Sequence, residues 1–99
     1  MVRINWTLQS KEDLKEIADY ISRHSKRYAK LQVDRLQKRT KVLKTQSRSG
    51  KIVSEINNEI IRELIMGSYR IIYKIVSVDQ IDILTIHHSA RDLKRRHIG

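Results

Sequence analysis

The residues with most chemistry to offer are His87, His88, Arg91 and Asp92, with Arg70 upstream on what reads as a neighbouring strand. A histidine titrates near neutral pH and could carry a proton to or from a ribose 2′-hydroxyl or a leaving 5′-oxygen. An arginine could stabilise the phosphate transition state. His87 with Arg70 is therefore a candidate ribonuclease pair. The competing reading is a strand-end histidine beside an arginine packed across the sheet. His88 is next to His87 on a strand and so points to the opposite, helix side, which suits a buried or hinge-like hydrogen-bonding role better than catalysis. The two rings cannot converge on a metal, and no carboxylate set completes a metal site. Arg91 and Asp92 read as a mutual pair or as caps of a short final helix. No Gly-rich phosphate loop and no other nucleophile–base pair is visible, and we expect neither metal nor cofactor.

A second feature is electrostatic. Between Arg23 and Lys51 stand eleven Lys/Arg and one acid, Asp34, which accounts for the entire net charge of +10. The remaining residues balance. A solvated helix face would not need this segregation, so Lys26, Arg27, Lys30, Lys38, Arg39, Lys41 and Lys44 are read as a footprint for a polyanion or an acidic protein.

The elements that must position these residues follow from periodicity. At 99 residues the chain is read as one domain, 1–99, with a modest core. Val2, Ile4 and Trp6 alternate with polar residues, as in a strand. Ser10 with acids behind it resembles a capping box, and Leu14, Ile17, Ala18 and Ile21 form one stripe, predicting a helix over 11–25. Ala29, Val33, Leu36, Thr40 and Leu43 extend a second helix over 27–46, joined to the first as a hairpin. Ser47–Lys51 is a loop, and 53–58 is either a short strand or an irregular approach.

Strands are predicted over 60–66, 69–76 and 81–88. Gly67-Ser68 suits a type II′ turn, which pairs Met66 with Tyr69, Ile65 with Arg70, Leu64 with Ile71 and Arg62 with Tyr73. One face then carries Ile60, Leu64, Met66, Tyr69, Ile71, Tyr73, Ile75, Leu84 and Ile86, covered by the helices. The other, open face carries Ile61, Glu63, Ile65, Arg70, Ile72, Lys74, Ile83, Thr85 and His87. Arg62 needs acceptors, for which Glu55 or Glu59 are candidates. The expected fold is α+β, in the order β-α-α-β-β-β, with a helix hairpin on one face of an antiparallel sheet and a short C-terminal helix. There is no cysteine, no signal-like leader and no apolar run near the length of a membrane span, so a cytoplasmic setting without a membrane is expected.

The succession Trp6, Asp13-Leu14 to Tyr20-Ile21, a basic second helix, Ile61-Arg62-Glu63-Leu64, Gly67, Tyr69-Arg70-Ile71-Ile72-Tyr73 and His88-Ser89-Ala90-Arg91-Asp92-Leu93 resembles the RelE/ParE superfamily, the toxins of type II toxin–antitoxin and plasmid stabilisation systems. The resemblance implies a cognate antitoxin, and a homodimer or a toxin–antitoxin heterotetramer. RelE-like members are ribosome-dependent messenger endoribonucleases, whereas ParE-like members act on DNA gyrase with no accepted catalytic residues. Where the ribonucleases carry two arginines and a C-terminal tyrosine, this chain has Ile65, Ser89 and, near the last, Arg95. Other ribonuclease members use C-terminal histidines. The resemblance therefore implies a ParE-like gyrase inhibitor first, a RelE-like mRNA interferase second, and an interaction module of the same fold third.

Overall fold

The structure is a computed structural model that describes residues 1–88. The expected C-terminal helix, Arg91, Asp92, Ser89 and Arg95 lie outside the described residues. The elements are β1 (Arg3–Trp6), α1 (Leu8–Ser22), α2 (Lys26–Arg39), a 3-10 turn (Thr40–Lys44), β2 (Lys51–Ile52), β3 (Ile61–Met66), β4 (Tyr69–Ser77) and β5 (Gln80–His88).

Helix α1 starts earlier than its acids suggest. The cap is Thr7, whose Oγ1 accepts from the Ser10 amide. The same hydroxyl donates to the Ile83 carbonyl at 2.7 Å, so the cap is also a tie to β5. Ser10 is instead buried, its hydroxyl donating to the Thr7 carbonyl. A local reading favours Ser10 because acids follow it; the tie to β5 selects Thr7. Ser25 caps α2 through the Tyr28 amide, as a short hairpin connection requires. The α-helix then tightens at Thr40, so Lys41 and Lys44 stand on a 3-10 turn and not on α2 itself.

The sheet has order β1-β5-β4-β3-β2. Strands β2 to β5 are antiparallel, while β1 lies parallel to β5, so the sheet is mixed. Parallel neighbours need a crossover, and here the helix hairpin and the other strands supply it. The β3–β4 register is the one the turn dictates, with Met66 opposite Tyr69 and Arg62 opposite Tyr73. Gly67 has φ +59, a conformation that costs a glycine little.

The β4–β5 pairing departs from regular alternation. A bulge opposite Ile72 and Tyr73 lets Thr85 pair with Ile72 but Ile83 with Tyr73, so Leu84 is extra. This corrects two expected faces. Ile83 lies in the helix-side core with Leu36, Leu43, Leu64, Ile71, Tyr73 and Ile81. Leu84 packs on the other side, in a second cluster with Val53, Ile61 and Ile72. That second cluster also takes Ile60, expected under the helices, and Ile56. The far face is therefore not open along its length: the segment from Val53 to Ile60 covers part of it.

Candidate functional site

Cross-strand pairing brings His87 opposite Arg70, where the sequence had placed the two only near each other on one face. Their environment is the informative part. His87 is buried, with 1% of its surface exposed. The Arg70 guanidinium is engaged by two carboxylates: Nε donates to Glu63 Oε2 at 2.6 Å, and Nη1 and Nη2 donate to Glu55 Oε2 and Oε1 at 2.6 and 2.9 Å. Nη2 also lies 2.5 Å from Glu63 Oε2. Lys51 approaches the other Glu63 oxygen at 3.5 Å.

Charge-assisted hydrogen bonds of this kind hold both groups in their ionised forms. The bonds from Arg70 pull the Glu55 carboxyl down from 4.5 to about 2. The bond to Glu55, and then that to Glu63, raises the already high pKa of Arg70. A guanidinium whose donors are committed to two carboxylates is a poor receptor for a phosphate unless those contacts break. Ile65, on the same face and directly opposite Arg70, is 46% exposed and adds no charge there.

The same network fixes the covering segment. Glu55 ties it to β4 through Arg70. Arg62 holds it through backbone: Nε donates to the Glu59 carbonyl at 2.8 Å and Nη1 to the Gly50 carbonyl at 2.9 Å. Its partners are thus main-chain carbonyls and not the Glu55 or Glu59 carboxylates. Tyr73 completes the clasp, its hydroxyl donating to the Ser47 carbonyl and accepting from the Gly50 amide. Burial pushes the Tyr73 phenol pKa upward. Gly50 is obligatory here because a Cβ would sit 2.5 Å from the Glu63 carbonyl oxygen and 2.7 Å from the Tyr73 hydroxyl.

His88 lies on the helix side of β5. It is exposed, which corrects the expected buried role, and it meets the Tyr69 ring edge-on, with centroids 5.7 Å apart. Both line a cleft of about 630 Å³ with Ile17, Tyr20 and Ile86, beside the acids Asp13, Glu16 and Asp19. Asp13 is buried and bridges this cleft to the β5 edge. Its Oδ2 accepts from the Ile86 amide at 3.0 Å and from the Thr85 hydroxyl, and its Oδ1 from Gln9. Beyond Trp6 there is no β1 to pair with β5, and α1 supplies the missing acceptor through this carboxylate.

Lys26, Arg27, Lys30, Lys38, Arg39, Lys41 and Lys44 are all exposed. Arg39 is partly spoken for, its Nε donating to the Ile65 carbonyl at 3.1 Å. Among the described residues no group of His, Cys, Asp and Glu is arranged to hold a metal, and no helix is long and apolar enough to cross a membrane. Sequence reasoning did not join Glu63 or Glu55 to Arg70, and gave Asp13 no contact with β5. Glu63 was findable, because the hairpin register puts it on the face of Arg70. Asp13 also carried a signal, lying within the apolar stripe of α1 one turn before Ile17.

The fold is shared with known proteins. A solved structure described as a chromosomal ParDE toxin–antitoxin system from P. aeruginosa superposes with a TM-score of 0.74 at 22% identity, over 89% of this chain and 96% of that one. No curated protein matches the sequence. The family model for the ParE toxin of the parDE type II toxin–antitoxin system matches residues 4–93. With the match spanning nearly the whole chain, it belongs to the ParE toxin family of type II toxin–antitoxin systems.

Proposed function

We propose that this toxin arrests growth by binding a macromolecular target, DNA gyrase, and not by cutting messenger RNA. One observation carries the reading: the arginine opposite His87 is already neutralised by Glu55 and Glu63. A ribonuclease needs that cation for the phosphate, and needs the histidine within reach of substrate. Ile65 in place of a strand arginine supports the same conclusion. The exposed basic surface of α2 and the following turn supplies the binding charge, suited to an acidic protein surface. As a member of a toxin–antitoxin family the chain has a cognate antitoxin as partner.

The test is expression with and without the antitoxin while following translation and DNA supercoiling. The expected outcome is loss of gyrase activity, in cells and with purified protein, while translation continues. Rapid loss of translation with cleaved messenger ends, abolished by His87→Ala, would establish the ribonuclease reading instead. A chain with no effect on growth would be an interaction module of the same fold. Charge reversal of Lys26, Lys30, Lys38 and Lys41 to Glu should abolish action; full potency would remove the basic surface from the mechanism.

A further inference from the structure

Two features have no part in the proposed mechanism: the cleft between α1 and β5, and the motif His88-Ser89-Ala90-Arg91-Asp92-Leu93. They adjoin each other. Strand β5 ends at His88, and His88 belongs to the cleft wall. Ile17, Ile86 and the rings of Tyr20 and Tyr69 give the cleft an apolar lining. Tyr20 is 65% exposed, a large ring left on the surface of α1. The acids of the lining come from that one helix, where Glu12 to Asp19 holds four acids against Lys15. Asp13 is committed to β5. Glu16 and Asp19 are exposed and form no ion pair among the described residues. Arg23 is the one Lys or Arg of the lining, and its guanidinium lies 5.8 Å from the Tyr20 ring centroid.

We infer that the cleft seats the chain's own segment 91–96, with Leu93 on Ile17 and Ile86 and with Arg91 and Arg95 paired to Glu16 and Asp19. Charge, reach and attachment select this occupant. From Arg91 to Arg96 there are four Lys/Arg and one acid, opposite in sign to the helix that walls the cleft. Arg91 follows His88 by three residues, a span of up to about 10 Å, so the segment begins at the cleft rim. A tethered segment competes at an effective concentration of about millimolar, an advantage that a basic segment of a separate protein lacks. Leu93, flanked by Arg91 and Arg95, also matches the apolar lining, which a small cation would leave uncovered. The motif then closes the seam between β5 and α1 and is not a catalytic loop.

The experiment uses the purified full chain. The chain has no cysteine, so His97→Cys gives a single attachment site for a nitroxide label. The label should quench the NMR amide signals of Glu16 to Tyr20, and Glu16→Gln/Asp19→Asn or Leu93→Ser should relieve the quenching. In the unlabelled chain, Glu16→Gln/Asp19→Asn should speed trypsin cleavage within 91–96 about three- to tenfold, as loss of two exposed ion pairs predicts. That variant leaves the cleaved sequence and the buried core untouched. Quenching centred elsewhere than on α1 would overturn the inference, as would a cleavage rate within about 1.5-fold of the unmodified chain. So would quenching that passes from labelled chains to an isotope-enriched, unlabelled copy mixed with them, since the occupant would then be a second molecule. Neither readout involves gyrase, so the outcome is independent of the target.

Discussion

Replacing Arg70 by Met separates a structural arginine from a catalytic one. The substitution keeps an apolar stem of similar reach and removes the guanidinium. Glu63 is then left 4% exposed, with Lys51, 72% exposed and 3.5 Å away, as its one remaining ion-pair partner among the described residues. Breaking a well-buried pair by removing one member costs about 3–5 kcal/mol. Arg70 is 12% exposed and Glu55 30%, and Lys51 remains, so a loss of about 2–3 kcal/mol is expected. For a domain of this size that lowers the melting temperature by about 10–20 °C. Urea denaturation followed by circular dichroism measures it. Adding Glu63→Gln should recover more than half of the loss, because the orphaned charge goes with it.

The pH dependence gives a second reading of the same network. Glu55 has a folded value of about 2 against an ordinary 4.5. Below 4.5 the unfolded chain binds the proton more readily, so stability rises with pH. The Glu55 contribution is fully present above about 4.5 and disappears as pH falls toward about 2. Arg70→Met should flatten the stability profile in that window. The reasoning fails if Arg70→Met changes stability by less than about 0.5 kcal/mol and leaves the acid limb unaltered. A toxin that loses activity under those conditions would point to an arginine kept for chemistry.

Three further outcomes follow from the geometry. Gly50→Ala should cost about 2–4 kcal/mol, read by urea denaturation, since the new methyl collides with the Glu63 carbonyl and displaces the Tyr73 hydroxyl. Asp13→Ala should cost about 2–3 kcal/mol and selectively speed hydrogen exchange at the Ile86 amide, whose acceptor is lost. Tyr73→Phe keeps the core volume but strips partners from the Ser47 carbonyl and the Gly50 amide. It should cost about 1–2 kcal/mol and increase proteolytic nicking between 47 and 50.

The reach of sequence reasoning differs from element to element. The β3–β4 register was legible because Gly67-Ser68 permits one tight turn, and that turn alone aligns Arg62 with Tyr73 and Ile65 with Arg70. The hairpin of helices was legible from the apolar stripes, although its first cap was placed at Ser10. The faces of Ile83 and Leu84 were not legible, because one bulged residue inverts the alternation that a strand pattern assumes. Of the candidate site, the nearness of His87 and Arg70 on one face was readable. Their surroundings were not, since Glu55 reaches Arg70 from a segment whose path no local pattern specifies.

By itself the sequence determined the order of the helices and of the four longer strands, though not the short β2 at Lys51–Ile52, together with the β3–β4 turn, the concentration of charge between Arg23 and Lys51 and the motifs that mark the family. These rest on composition, period and turn chemistry, all short-range properties of the chain. Only the tertiary structure decided that β1 lies parallel to β5, that Asp13 serves the edge β1 leaves unpaired, and that the 53–60 segment closes over part of the far face. It also decided the fate of Arg70. Whether a cation is available to a ligand depends on which carboxylates the fold brings within hydrogen-bonding distance, and Glu55 and Glu63 arrive there from 15 and 7 residues away.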